Sequence, residues 1–388
     1  MRRLFSPTVL TISAILFGVY GYVAWRLGAT PALRWALAVP FLAIWTVPVI
    51  YWVFERESTS WLDDLLHAVA YLCMGWINFL VVLTAARDVL LGATSLFTAS
   101  AGYSLMSSVS VPWIFVGSFA ALGVGAIGAL RGPRVRHVDI PIEGLDRELE
   151  GLRIALISDL HVGPTIGYRY VRRVVRMANE LAPDLTALTG DIVDGSVPRL
   201  ARDVAPLAEL RPLEKAFLVL GNHDYYSGAA AWIDQFRSMG LRVLLNEHAI
   251  VERNGAHFVV GGVTDPAARR TDPGQAPRPD LACAPDEGPV FRLLLAHNPS
   301  LAPLGQKAGF DLQLSGHTHA GQFFPWTLAV RLVHAQHAAG LSREGRMWVY
   351  VSAGTGSWGP PIRFGTEPEL TLLRIVRSTD VHRTNRSK

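Results

Sequence analysis

The chain has 388 residues, of which 50% are hydrophobic and 18% are charged, and its formal net charge is +4. This length is enough for two domains, and the apolar content excludes a disordered chain. Nearly all the basic residues are arginines scattered along the chain, so no nucleic-acid partner is predicted. The two cysteines, Cys73 and Cys283, are too few for a disulfide framework or a cysteine-based zinc site.

Residues 1–130 are predicted to form a membrane domain of about four helices. They hold only 11 charged side chains. Each apolar segment is close to the roughly 20 residues that a helix needs to cross about 30 Å of hydrocarbon. The predicted spans are residues 7–25, 35–54, 66–85 and 111–130. Residues 89–110 are moderately apolar and remain open between a surface helix, a re-entrant segment and a loop.

A cleaved signal peptide is the alternative for residues 7–25, because Arg2 and Arg3 precede the apolar run. Three further apolar segments favour the multipass interpretation, since a cleaved signal would not explain them.

Arginine positions predict the orientation of the membrane domain. With an even number of spans, both chain segments that flank the domain lie on one side, and the positive-inside rule predicts that this side is cytoplasmic. The flanking arginines are Arg2, Arg3, Arg131, Arg134 and Arg136, and the connecting segments hold Arg26, Arg34 and Arg87. We therefore expect a multipass protein of the cell membrane whose second half is cytoplasmic. The charges nearest the spans, Asp63, Asp64, Arg87 and Asp88, are predicted at helix ends or in connections.

After a linker and first strand over residues 131–150, residues 151–388 are predicted to form an α/β domain. Short β-rich runs alternate with amphipathic helical patterns, which is typical of βαβ units. Asn254 and Gly255 predict a hairpin turn. The predicted strands are residues 152–158, 185–189, 216–220, 291–295, 312–314, 348–352 and 370–376. The predicted helices are residues 168–181, 200–210, 229–239 and one that starts at Ser300. Residues 265–289 are predicted to form a surface loop.

Acidic and imidazole side chains follow five of the predicted strands directly. Because ligands bind at the carboxyl ends of strands in α/β sheets, we expect these side chains to meet. In chain order the blocks are Asp159-x-His161, Gly190-Asp191-x-x-Asp194, Gly221-Asn222-His223-Asp224, the single His297 and Gly316-His317-Thr318-His319.

This ordered set resembles the calcineurin-like metallophosphoesterases, over about residues 137–377. The sequence Gly316-His-Thr-His-Ala-Gly-Gln and the tail Pro361-Ile-Arg-Phe resemble the bacterial membrane-associated branch related to UDP-2,3-diacylglucosamine hydrolases. Ala320 stands where that branch is expected to have glycine. The resemblance implies two mixed β-sheets that pack together with flanking helices, and a metal-dependent phosphoesterase activity.

The resemblance also implies two divalent metal ions held by nitrogen and oxygen ligands. By motif position, the ligands of one ion are Asp159, His161, Asp191 and His319, and those of the other are Asp191, Asn222, His297 and His317. Two ions about 3.5–4 Å apart repel each other, so a shared carboxylate, here Asp191, is needed between them. Such ligands suit Mn, Fe or Zn.

His223 is predicted to be catalytic, either protonating the leaving oxygen or binding the phosphate. The adjacent Asp224 is expected to orient its ring, and Asp194 is expected to contact a ligand or cap a helix. His334 and His337 are expected in the substrate pocket or on the surface.

Two hypotheses for function follow. The first is a membrane-anchored phosphoesterase that hydrolyses phosphodiester, pyrophosphate or phosphomonoester bonds, with a lipid-linked substrate favoured by the membrane domain. The second is a transport or sensing module that the metal domain regulates. Because the predicted spans contain no charged residue, the sequence favours an anchor. The α/β half is expected to fold and to hydrolyse soluble substrates without the spans. The substrate, the metal and the oligomeric state are not predicted.

Overall fold

The computed structural model describes residues 7–50, 60–97, 100–270, 272–284, 287–288 and 290–378. The described residues divide into two compact units. The helical unit contains the residues up to Leu130 together with Gly359–Phe364. The α/β unit contains Arg131–Trp358 and the residues from Gly365 onward. A short segment near the carboxyl end of the chain therefore belongs with the amino-terminal helices.

The helical unit consists of α1 (Pro7–Leu27), α2 (Pro31–Pro48), α3 (Trp61–Thr94) and α4 (Ser100–Leu130). Val9–Leu27, Trp61–Thr94 and Met106–Leu130 are long and apolar enough to cross a membrane, which confirms three of the predicted spans. The apolar part of α2, Pro31–Val47, is shorter. Residues 51–54 of the second predicted span lie outside the described residues.

Side-chain caps define where two of these helices start. Thr30 accepts a hydrogen bond from the Leu33 amide at 3.2 Å and precedes Pro31, whose missing N–H costs nothing in a first turn. Ser60 and Asp63 form a reciprocal capping box at the start of α3.

Residues 89–110, which the sequence pattern left open, are divided between two helices. The helix α3 extends to Thr94 and α4 starts at Ser100. With 34 residues, α3 is about 51 Å long, which exceeds the hydrocarbon thickness of about 30 Å.

The placement of Arg87 and Asp88 in a connection is wrong, because both lie inside α3. Asp88 pairs with Arg26, in the last turn of α1, at 2.6 Å, and with Arg87 at 3.2 Å. Arg87 also donates to Ser110 Oγ at 2.8 Å and to the Ser107 carbonyl at 2.7 Å. These charges are satisfied by one another and by α4, as burial of charged groups requires.

Gly359–Phe364 packs between α3 and α4. The Arg363 amide donates to the Gly125 carbonyl at 2.8 Å, and the Phe364 ring lies 5.2 Å from the Phe79 ring. Ile362 is fully buried. A side-chain carbon built at Gly128 would lie 2.8 Å from the Arg363 carbonyl oxygen, so glycine in α4 is what lets this segment approach so closely.

The α/β unit contains two six-stranded sheets. The first has the strand order β1-β12-β2-β3-β4-β5, and the second has the order β10-β11-β9-β8-β7-β6. In the first sheet, β2, β3 and β4 are parallel, and in the second, β7, β8 and β9 are parallel. The strands of the first sheet are β1 (Arg134–Ile142), β2 (Arg153–Ile157), β3 (Leu185–Leu188), β4 (Ala216–Leu218), β5 (Arg242–Val243) and β12 (Glu369–Arg377). Those of the second are β6 (Glu247–Arg253), β7 (Ala256–Gly262), β8 (Arg292–Leu295), β9 (Leu312–Ser315), β10 (Gly340–Glu344) and β11 (Met347–Val351).

Seven α-helices connect the described strands, and most of the predicted elements are present. The predicted helix 200–210 is α-helical only from Val197 to Val204 and continues as a 3-10 turn over Ala205–Glu209, where Pro206 lacks the amide that a further α-turn needs. Residues 265–289 are not only a surface loop, because they include α9 and bury Ala267, Ala268 and Ala282. The helices are α5 (Tyr168–Glu180), α6 (Val197–Val204), α7 (Asn222–Tyr226), α8 (Ala229–Ser238), α9 (Pro279–Ala282), α10 (Ala302–Ala308) and α11 (Trp326–His334).

Alternating side chains build two core layers on the first sheet. Ile154 and Leu156 of β2 join an inter-sheet core with Phe258 and Leu293 of the second sheet, whereas Ile157 joins the core beneath the helices. With both faces covered, the parallel strands are buried and end together at one edge of each sheet.

Candidate metal centre

Every predicted ligand block follows the carboxyl end of a parallel strand. Asp159 and His161 come after β2, Asp191 after β3, and Asn222 after β4 in the first sheet. His297 comes after β8, and His317 and His319 come after β9 in the second sheet. The two sheets thus supply ligand side chains from five strand ends.

The backbone is left-handed at most of these strand ends. A residue with a side chain pays about 1–2 kcal/mol for this conformation, so its repeated use at one site indicates function. Backbone hydrogen bonds hold the turns, for example from the Asp159 amide to the Gly190 carbonyl at 2.9 Å. The φ angles are 54° at Asp159, 51° at His161, 51° at Asp191, 71° at His317 and 50° at His319.

Two motif glycines make room for the carboxylates. A side-chain carbon built at Gly221 would collide with the Asp191 carboxylate, and one built at Gly316 would collide with the Asp159 carboxylate and Ser158 Oγ. Both glycines are therefore required by close approach.

The first cluster consists of Asp159, His161 and His319, all buried, with ligand atoms within 4.8 Å of one another. Nε2 of His161 lies 3.0 Å from Nε2 of His319, and His319 Nε2 lies 3.5 Å from Asp159 Oδ1. Two imidazoles and a carboxylate thus face one point.

The second cluster consists of Asp191, His297 and His317, again with ligand atoms within 4.8 Å of one another. Asn222 Oδ1 lies 3.2 Å from His297 Nε2 and 3.0 Å from His317 Nδ1. Asp191 Oδ2 lies 3.2 Å from His297 Nε2 and 3.7 Å from His161 Nε2, so it sits between the two clusters.

These side chains fit divalent metal ions. Nδ1 of His297 donates to the Thr189 carbonyl at 2.8 Å, which leaves the Nε2 lone pair free for a metal, and His161 uses Asp194 in the same way. Within the described residues, Asp159 Oδ2 is buried and has no hydrogen-bond partner. A buried carboxylate oxygen of this kind is stabilised by a cation, and the donors are all nitrogen or oxygen.

The charges of the cluster favour cations. Burial opposes protonation of His161, but Asp194, Asp191 and Asp159 outweigh it and raise its pKa to about 9. Burial likewise disfavours an ionised Asp191, yet the adjacent His297 and His161 hold the pKa of that carboxyl well below its usual range. Burial and the nearby His297 lower the pKa of His317 to about 3, so its ring is neutral and able to bind a metal.

His223 is oriented by Asp194, and the expectation that Asp224 orients it is wrong. Nδ1 of His223 donates to Asp194 Oδ1 at 2.8 Å. Asp224 lies at the third position of α7, where its carboxylate turns back and accepts hydrogen bonds from the amides of Gly221, Ile192 and Val193 at 2.9–3.0 Å. Burial raises the pKa of Asp224 to about 7, with the Asp191 charge adding to the effect.

Aromatic side chains surround His223. The rings of Tyr226 and Trp358 lie 5.6 and 5.7 Å from the His223 ring, and the two side chains are 58% and 48% exposed. Gln322 fixes the backbone of Trp358 by accepting from its amide at 2.8 Å and donating to its carbonyl at 2.9 Å. His223 thus faces an open, partly apolar surface.

The sequence interpretation missed Asp265, although it follows β7 as the predicted ligands follow their strands. This side chain is buried, and its charge acts on His297. Of the two later histidines, His334 is in edge contact with His317 at 5.9 Å between ring centroids, whereas His337 pairs with Glu344 at 3.0 Å.

Comparisons with known proteins identify the family. Residues 152–321 match the family model for the calcineurin-like phosphoesterases. An uncharacterized metallophosphoesterase of Aquifex aeolicus is 34% identical over 251 residues, which cover 62% of this chain and 91% of that protein. The chain belongs to the calcineurin-like phosphoesterase family. The family expected from the five blocks is confirmed.

Two further relatives are matched over different shares of their length. The zebrafish Transmembrane protein with metallophosphoesterase domain is 38% identical over 263 residues, covering 66% of this chain and 60% of that protein. Phosphodiesterase YaeI of Escherichia coli is 31% identical over 240 residues, covering 58% of this chain and 82% of that protein. The chain thus matches less than two thirds of the length of the zebrafish calcineurin-like relative.

Proposed function

We propose that this protein is a membrane-anchored, metal-dependent phosphoesterase that hydrolyses phosphodiester or pyrophosphate bonds of a lipid-linked substrate at the cytoplasmic face of the cell membrane. The observation that carries the proposal is the pair of clusters with Asp191 Oδ2 between them and His223 beside them. The relationship to Phosphodiesterase YaeI supports a phosphodiester as one substrate class.

The residues of the centre are assigned to metal binding, proton donation and orientation of the proton donor. We assign Asp159, His161, Asp191 and His319 to one divalent ion, and Asp191, Asn222, His297 and His317 to the other. Bound divalent ions at such a site polarise the phosphoryl group and supply a hydroxide nucleophile at neutral pH. As an imidazolium, His223 donates its Nε2 proton to the leaving oxygen while its Nδ1–H stays hydrogen-bonded to Asp194. Asp194 keeps the His223 ring in that orientation.

An exposed apolar surface beside the centre supports a lipid-linked substrate. The helix α11 follows the His319 block, and its last residue, His334, contacts His317. Such a surface is costly in water unless apolar groups cover it. The exposed apolar side chains of this helix are Trp326, Leu328, Leu332 and Val333.

Hydrolysis by the full-length protein in detergent micelles tests the enzyme. After treatment with a chelator, the protein receives Mn²⁺, Zn²⁺ or Fe²⁺ in turn, with bis(p-nitrophenyl) phosphate or p-nitrophenyl phosphate as substrate. We expect hydrolysis with at least one metal, its loss in His297→Asn, and normal rates in His248→Asn, an exposed histidine of β6. Two bound ions without hydrolysis of any phosphoester would contradict the proposal and favour a sensing role.

A second comparison tests the lipid-linked substrate. In vesicles that contain a lipid-linked pyrophosphate, Leu332→Gln with Val333→Gln should slow hydrolysis several-fold while leaving the soluble ester unaffected. The matched control is Ile250→Gln with Leu304→Gln, which alters two exposed apolar residues outside α11. Equal rates on the lipid-linked substrate for both double variants would contradict the role of α11.

A further inference from the structure

The helix α5 of the α/β unit carries a cluster of arginines on its outer face. Its inner face packs Val171, Val174, Val175 and Ala178 into the core. The spacing of three, four and seven residues aligns four arginines along the opposite side. We call Arg169, Arg172, Arg173 and Arg176, all exposed, the arginine patch.

Most of the arginine patch lacks a counter-charge. Arg176 approaches Glu180 at 3.7 Å on the exposed surface. In the described part of the chain, Arg169, Arg172 and Arg173 have no acidic side chain at ion-pair distance. The juxtamembrane arginines differ, since Arg134 and Arg136 pair with Glu367 and Glu369. Like charges four residues apart destabilise a helix, so a bound anion would reduce the repulsion between the arginines of α5.

The arginine patch borders a surface groove of about 810 Å³, which Tyr168, Asn179 and Glu209 also line. Guanidinium groups bind phosphate oxygens through two parallel hydrogen bonds, which makes arginine the preferred side chain for phosphate groups. A groove of this size with several such groups suits a phosphate-bearing headgroup.

Arg173 places the patch beside residues that closely follow α4 in the chain. A side-chain carbon built at Gly132 would lie 2.8 Å from Arg173 Nη1, so the guanidinium covers the backbone there. Gly132 is two residues beyond Leu130, where α4 ends. Two residues reach at most about 7 Å, which is about the depth of a headgroup layer.

We propose that the arginine patch binds the phosphate groups of anionic phospholipids in the leaflet where α4 ends. Basic clusters next to a membrane helix attract anionic lipid with about 1 kcal/mol per arginine, or about fivefold in affinity. A nucleic acid or a soluble anion would use the same donors, but neither is concentrated at a membrane surface as anionic lipid is. This surface is separate from the metal centre and does not depend on the proposed hydrolysis.

Lipid binding by the full-length protein in non-ionic detergent micelles tests this inference. Phosphatidylglycerol or phosphatidylcholine is titrated into the micelles, and native mass spectrometry counts the lipid molecules that stay bound. The unchanged protein should prefer phosphatidylglycerol by at least tenfold, and the preference should fall with salt. The variant Arg169→Gln, Arg172→Gln, Arg173→Gln should lose most of it, by roughly 10² at low salt.

Two matched variants separate a site from a general effect of charge. The charge-matched control, Arg147→Gln with Arg237→Gln and Arg346→Gln, removes exposed arginines of other elements and should keep the preference. Lysine at the three patch positions should restore much of it, and thermal unfolding checks that each variant folds. An unchanged preference in the patch variant would overturn the proposal, as would an equal loss in the control. Displacement of the lipid by an equal concentration of inorganic phosphate would also overturn it, since the ligand would then be a soluble anion.

Discussion

Oδ1 of Asp194 lies 2.8 Å from Nδ1 of His223, and Oδ2 of the same carboxylate lies 3.0 Å from Nδ1 of His161. One side chain therefore fixes both the predicted proton donor and a predicted metal ligand. The pKa of Asp194 is held well below its usual range, because the His161 and His223 rings outweigh its burial. Asp194 is thus a carboxylate at any working pH and accepts from both rings.

We expect Asp194→Asn to lower both turnover and metal affinity, whereas Asp224→Asn should lower stability. An amide at position 194 orients both rings less well, and lost support of a metal ligand typically costs about 10–100-fold in affinity. An amide at position 224 cannot accept from all three amides, which costs about 1–3 kcal/mol in the free energy of unfolding. Metal titration, steady-state kinetics and urea unfolding of both variants provide the comparison. Equal effects on metal affinity would argue against the assignment of Asp194.

His223→Ala should keep both metal ions and lose about 10²–10⁴ in turnover, the usual contribution of a positioned acid. His223 belongs to neither of the two clusters, and its ring meets the His161 ring only in edge contact at 4.8 Å between centroids, so we expect both clusters to remain after its removal. Metal content of the purified variant is measured beside its rate. One missing ion would place His223 among the ligands.

Asp191→Asn should abolish activity and weaken binding at both sites, whereas Asp159→Asn should chiefly weaken one. The reason is the position of Asp191 Oδ2 between His161 and His297, while Asp159 faces His319. Elemental analysis of protein after dialysis against a weak chelator gives the ratio of metal to protein. An unchanged ratio in Asp191→Asn would remove the shared-carboxylate assignment.

Gly221→Ala should disable the metal centre, because the added carbon would collide with the Asp191 carboxylate. Gly167→Ala is the matched control, since its φ is −120° and its nearest neighbour is an ordinary contact at 3.5 Å. We expect normal metal binding and rate in the control, and loss of both in Gly221→Ala. Full activity in Gly221→Ala would mean that the turn can shift without cost.

The positions of the candidate ligands in the fold were predictable because buried strands leave a strong signal. Runs such as residues 154–157 are continuously apolar, and the polar residues that follow must lie at the strand end. The three parallel strands then bring Asp159, Asp191 and Asn222 to one edge. Local pattern and tertiary structure agree here, so the sequence alone is enough to predict which residues lie at these strand ends.

Side-chain direction was not predictable in the same way. Asp224 neighbours His223 in sequence, yet the first turn of α7 directs its carboxylate to the backbone, and the partner of His223 comes from residue 194. Arg87 and Asp88 resembled a helix boundary because charge usually ends an apolar run, whereas pairing with Arg26 lets the helix continue. The four arginines of α5 seemed scattered until the helix aligned them. Each of these depends on contacts between distant parts of the chain.

The segment Gly359–Phe364 means that the polypeptide passes between the two units three times, after Leu130, after Trp358 and after Phe364. The expectation that the α/β half folds without the spans did not include this segment. A fragment of residues 131–388 would leave Ile362 and Phe364 without the helices that cover them, and we now expect it to aggregate unless both are made polar. In the full-length protein, protease cleavage between Leu130 and Arg131 should cut the chain without releasing the α/β unit. The carboxyl-terminal fragment should stay bound because its segment Gly359–Phe364 packs against α3 and α4. Sedimentation of nicked protein with the membrane after mild protease treatment checks this. Release of a soluble fragment would show that the contacts of these six residues are too weak to hold it.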